Sequence, residues 1–126
     1  MSLRRSIAIT ITVAVMHAAL AAPTPAPVRT EIDALLARLE SSGCEFYRNG
    51  TWYDAEKAKA HLLMKLRYLE AGQTLESTEQ FIELAATASS LSGQPYEVRC
   101  AGGPPMPSAQ WLGAELVELR SAAIAE

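Results

Sequence analysis

From Ile32 onward, apolar residues recur at Ile32, Leu35, Leu36 and Leu39, the i, i+3, i+4, i+7 spacing of one helix face. Thr30 stands where an N-cap belongs, with Glu31 and Asp33 in a first turn whose dipole favours acids, and Gly43 supplies a stop. The pattern predicts a first helix over 31–41. The period then shortens. Cys44 to Arg48 alternates, and Thr51 to Tyr53 can return alongside it. The intervening Asn49-Gly50 suits a type I′ hairpin, because both residues tolerate positive φ. Asp54 can cap a second helix over 55–70, with Ala58, Leu62, Leu66 and Leu69 on its stripe and Leu63 and Met64 widening it. Ser77 or Thr78 opens a third helix, with Gln80 placed for a capping box; Phe81, Leu84, Ala85, Ala88 and Leu91 form its expected buried face before Gly93 and Pro95 end it. Tyr96, Val98 and Cys100 then share one face of a strand, as Cys44 and Phe46 do in the earlier one. Gly102 to Pro107 reads as a stiff loop. Ser108 caps a fourth helix lined by Leu112, Leu116, Leu119 and Ala123. The expected fold is α+β, mainly α: about four helices packed on a small two- or three-stranded antiparallel sheet, with one disulfide.

The first residues follow a different grammar. Arg4 and Arg5 precede an apolar stretch from Ile7 to Leu20, and Ala19-Leu20-Ala21 is a small-x-small box. That order is a secretory signal peptide, expected over 1–21. The apolar run is shorter than the roughly 20 residues that span a bilayer, so no stable membrane anchor is expected after cleavage. Arg4-Arg5 also fits a twin-arginine leader, without distinguishing that route from the general one. Residues 22–29, rich in Pro and Ala, are expected to be a disordered spacer, and 30–126 a single small globular domain.

Export changes the reading of composition. The whole chain has 11 basic and 14 acidic residues; losing Arg4 and Arg5 leaves nine against 14, a net −5. No basic stripe interleaved with aromatics remains, so nucleic acid is not an expected partner. Cys44 and Cys100 are the only cysteines, and in an oxidising compartment they are expected to pair. They lack the C-x-x-C spacing of a redox dithiol. His61 is the only histidine after the leader, so neither a metal site nor a cofactor is expected.

Among polar residues, His61 and Lys65 stand out. At i and i+4 of the second helix they are neighbours bordering the apolar stripe, and Tyr68 continues their line. They could form an anion or carboxylate site at the helix–sheet boundary; the plainer reading is a bonded histidine and a lysine stem covering apolar surface. Ser89, Ser90 and Ser92 invite a nucleophile reading with His61 or Lys65 as base. However, a helix C-terminus has the wrong polarity for an oxyanion hole, and no G-x-S-x-G elbow is present. Arg48 and Asn49 can present a hairpin tip. Asn49-Gly50-Thr51 also fits a glycosylation sequon, but turn chemistry already accounts for it. Tyr53, Tyr96 and Trp111 could line a groove, although core packing with bonded polar tips accounts for most such residues.

The linked pattern Cys44-x-Phe46-x-Arg48-Asn49-Gly50-x-x-Tyr53, Ala58-x-x-His61-Leu62-x-x-Lys65, Thr78-x-x-x-Phe81-Ile82, Ala88-Ser89-Ser90-x-Ser92-Gly93-x-Pro95-Tyr96-x-Val98-x-Cys100 and Trp111-Leu112 resembles the YfeK-like family of small exported bacterial proteins of unknown function. The resemblance implies a secreted or periplasmic protein of a Gram-negative bacterium, with no assigned activity and no catalytic residues to carry over. The expected function is therefore non-enzymatic binding of an envelope protein or small ligand through Arg48, Asn49, His61, Lys65, Ser90, Ser92 and Tyr96. The alternatives are a small hydrolase or transferase using Ser with Lys65 or His61, and an inhibitor that presents its hairpin to an envelope enzyme.

Overall fold

Helix α1 (Ala26–Ser41) packs against three other helices, α2 (Ala55–Gly72), α3 (Thr78–Ala85) and α4 (Ser108–Ala125), and buries Ile32, Leu35, Leu36 and Leu39 almost completely. The computed structural model describes residues 2–4, 6–15 and 21–125. Of the expected cleavage box, Ala19 and Leu20 lie outside the described residues. Residues 6–15 form no helix or strand, and Ile7, Ile9, Ile11 and Val13 are exposed there. Among the described residues no helix is long and apolar enough to cross a membrane.

Helix α1 starts earlier than its pattern predicts. Its N-cap is Pro25, and Thr30 lies inside the helix. Pro27 fits the first turn because its missing N–H would have had no intrahelical partner there. Arg29 then anchors the turn to Asp33 and Glu70, both at 3.0 Å. The 22–29 segment is thus no disordered spacer: its second half is helical, while Thr24 donates to Glu70 Oε2 and Ala22 O accepts from Thr74.

Helix α2 begins as expected, with Asp54 accepting from Lys57 N at 2.9 Å. At α3, Ser77 Oγ accepts from Gln80 N, while Gln80 Oε1 reaches back to Glu76 N, one residue before the cap. This helix ends at Ala85, well short of Leu91. Its buried face is Thr78, Phe81, Ile82 and Ala85; Leu84 is partly exposed and Leu91 almost wholly so. The reason is competition for backbone groups. Thr87 Oγ1 donates to Ile82 O, Ala88 bridges Pro95, and Ser89 and Gln94 join through their backbones. Gly93, at φ 72°, closes this excursion rather than a helix.

Strands β1 (Glu45–Arg48), β2 (Thr51–Tyr53), β3 (Glu97–Arg99) and β4 (Met106–Pro107) form one antiparallel sheet in the order β2-β1-β3-β4. The two-residue β4 falls in the expected stiff loop and makes the sheet four-stranded. Pro107 is tolerated because β4 is an edge. Asn49 (φ 47°) and Gly50 (φ 87°) make the hairpin turn. On the inner face Phe46 and Val98 join the core, with Phe46 edge-on to Trp111. On the outer face Arg99 lies over Trp52 and pairs with Glu45. The register of β1 on β3 places Cys44 opposite Cys100, and the two are disulfide-bonded with a Cα separation of 4.3 Å. Arg120 on α4 pairs with Glu31 on α1 and Glu79 on α3, tying the helical layer together.

Candidate functional site

The register that pairs the cysteines at one end of β1 sets Arg48 opposite Tyr96 at the other. This end faces α2, where His61 and Lys65 sit one turn apart. Arg48 Nη1 donates to His61 Nδ1 at 2.7 Å. An arginine can only donate, so Nδ1 carries no proton and the neutral ring is protonated at Nε2. That Nε2–H is 3.1 Å from Tyr96 Oη and donates to it. Lys65 Nζ donates to the same oxygen at 3.1 Å and to Ala88 O at 3.1 Å. Tyr96 Oη therefore accepts twice, and its own O–H has no acceptor among the described residues.

The cations are arranged with aromatic rings rather than with carboxylates. Arg48 lies 4.7 Å from the Tyr53 ring centroid and Lys65 4.9 Å from that of Tyr96. Arg29, Arg38, Lys59, Arg99 and Arg120 all form ion pairs; Arg48 and Lys65 have no carboxylate partner among the described residues. Arg4, Lys57 and Arg67, also without one, are exposed. Burial, with the Arg48 and Lys65 charges adding to it, pushes His61 down to about 4. Burial and then the Arg48 charge pull Lys65 below its ordinary value. Burial raises Tyr96, against an opposing pull from Arg48.

The hairpin tip is fastened to the segment that follows α3. Asn49 Nδ2 donates to Ser89 Oγ at 3.1 Å, and Asn49 Oδ1 accepts from Ser92 Oγ at 2.6 Å. Ser89 is buried and also accepts from Leu91 N and Ser92 N. Neither His61 nor Lys65 hydrogen-bonds a serine among the described residues.

Between α2 and this segment runs a groove of about 430 Å³. Arg48, Asn49, His61, Lys65, Ser90 and Tyr96 line it together, as do Ser89, Met64, Tyr68, Leu84 and Leu91. Ser92, the remaining expected site residue, does not line the groove but holds Asn49. Below it an apolar recess of about 30 Å³, bordered by Phe46, Leu62, Tyr96 and Leu112, has room for about one water molecule and no larger ligand. Sequence spacing singled out His61 and Lys65. It missed Ser89 as the buried anchor and Tyr53 as the ring beneath Arg48. The signal for Tyr53 was available, because the hairpin places it two strand positions from Arg48 on the same face.

These features define a small disulfide-bonded α+β domain with a cation-lined, partly apolar groove between α2 and the segment after α3. Residues 26–120 match the family of unknown function DUF5329, and the chain belongs to that family. It is also similar to the uncharacterized protein YfeK of Salmonella typhimurium, with 36% identity over 66 residues, 52% of this chain and 53% of that one. The chain thus spans about half the length of this curated relative. No solved structure matches it.

Proposed function

We propose that the chain is an exported binding protein of the Gram-negative periplasm, not an enzyme, and that its groove receives an anionic group. The observation that carries this reading is the meeting of Arg48 and Lys65, two half-buried cations with no carboxylate among the described residues, around a phenol whose proton has no acceptor among them. A partly desolvated site strengthens charge-assisted hydrogen bonds to an incoming anion. The apolar leader behind Arg4 and Arg5 and the Cys44–Cys100 bond both favour export. The fastening of Asn49 to Ser89 and Ser92 favours a built groove over a hairpin free to enter a target's cleft.

Thermal melting in acetate at constant ionic strength tests the site. The melting temperature should rise with acetate in the natural protein and stay flat in the Arg48→Gln/Lys65→Met double variant. No rise in the natural protein, or an equal rise in both, overturns the reading. Mass spectrometry of protein from the periplasmic fraction tests export; finding it only in the cytosol with its leader intact would reject that part.

A further inference from the structure

Building on the reading of the groove as an anion site, we infer that its ligand is an amphiphile, one carboxylate joined to an apolar chain. The head rests on Arg48, Lys65 and Tyr96, and the chain lies along Met64, Tyr68, Leu84 and Leu91.

The tail follows from exposure. Met64, Tyr68, Leu84 and Leu91 are 58%, 82%, 39% and 96% exposed, and all four line this one groove. Single exposed apolar side chains are ordinary, whereas a contiguous set rimmed by polar groups marks a binding surface. Met64 and Tyr68 lie four residues apart on α2, beside Lys65. Leu84 and Leu91 face them from α3 and the segment after it. The groove's volume lies in the range of small-ligand sites, about 300–1,000 Å³.

The head follows from the hydrogen-bond inventory. Lys65 has spent two of its three donors and Tyr96 none. The carbonyl oxygens nearby, Ala88 O and Asn49 Oδ1, already accept from Lys65 and Ser92. The site offers donors and asks for a group that only accepts, which an ionised carboxylate is. A single negative charge suffices. Arg48 and Lys65 are each already part-compensated by an aromatic face and a neutral acceptor, so a polyanion would bring charge the site does not match.

Calorimetric titration with acetate, octanoate and dodecanoate, each below its micellar concentration, tests this, with dodecyltrimethylammonium as a cation of the same tail. Affinity should rise about fourfold per methylene buried until the groove is filled, and the cationic surfactant should not saturate the site. Tyr68→Ser/Leu91→Ser should weaken dodecanoate at least tenfold and leave acetate unchanged; both positions are exposed, so the fold is not at stake. Acetate binding that needs Arg48 and Lys65 but gains nothing from chain length would overturn the amphiphile and leave the anion site standing. Loss of all anion binding would overturn both, and equal binding of the cationic surfactant would overturn the assigned head.

Discussion

Arg48 and His61, 13 residues apart in sequence, meet at 2.7 Å with the guanidinium donating to the imidazole's bare nitrogen. The bond exists only while the ring is neutral. A proton on Nδ1 would turn it into a donor facing a donor, with Lys65 adding a second like charge nearby.

This contact gives stability an acid limb. His61 titrates near 6.5 when exposed and at about 4 when folded. Its contribution is fully present above 6.5. Between 6.5 and 4 the unfolded chain takes a proton that the folded chain refuses, so stability falls as pH falls. Melting temperature followed from pH 7 to 4 should drop less steeply in His61→Gln than in the natural protein. Glu31 and Glu79, held low by Arg120, contribute equally to both proteins. Identical slopes would show that His61 is not the group responsible.

Lys65 is expected to lower stability. It is partly desolvated, and the Arg48 charge that acts on it is of like sign. Desolvating a charge without an opposite partner is unfavourable, so an apolar residue of similar length removes that cost. Lys65→Met should melt at the same temperature or higher at pH 7 while losing acetate binding. A fall of several degrees would make Lys65 a structural residue.

Asn49 acts as a latch. Asn49→Gly removes the bonds to Ser89 and Ser92 while tolerating the left-handed backbone at φ 47° and leaving the core untouched. Amide exchange should quicken across residues 86–95 and stay unchanged in α1. Quickening spread evenly over the chain would mean that the tip supports the whole fold.

The Cys44–Cys100 bond closes a loop with a sequence separation of 56. Chain entropy sets the cost of removing it at up to about 4 kcal/mol. Denaturant unfolding of Cys44→Ala/Cys100→Ala should show a large fall in midpoint. An unchanged midpoint would mean that the helices alone hold the sheet.

Phe81 and Leu91, both expected on one buried face, should now behave oppositely. Phe81 is fully buried, and Phe81→Ala should cost about 3–5 kcal/mol. Leu91→Ser should change stability by less than about 0.5 kcal/mol, as exposed positions do. Comparable losses at both would restore the longer helix.

The contrast shows where reading the chain succeeds and where it stops. Ile32, Leu35, Leu36 and Leu39 announce α1 because one face meets a single environment. Asp54 and Asn49-Gly50 mark their turns through local chemistry alone. The segment after Ala85 kept a helical apolar rhythm through Ala88 and Leu91, but side-chain oxygens from Thr87 and Ser89 and a bridge to Pro95 took its backbone elsewhere. The i, i+4 spacing brought His61 and Lys65 forward. Arg48 joins them only through strand register, and Ser89 only through Asn49, relations between residues distant in sequence. Met64 looked like core because nothing local distinguishes an apolar residue facing a groove from one facing a neighbouring helix.

Strand β1 is four residues long, with Cys44 just before it and Arg48 at its far end. Thiol oxidation therefore clamps one end of a short beam whose other end carries the guanidinium. The bond and the groove hang on one alignment: a one-residue slip of β1 against β3 would part the two sulfurs and turn Arg48 away from Tyr96 at the same time.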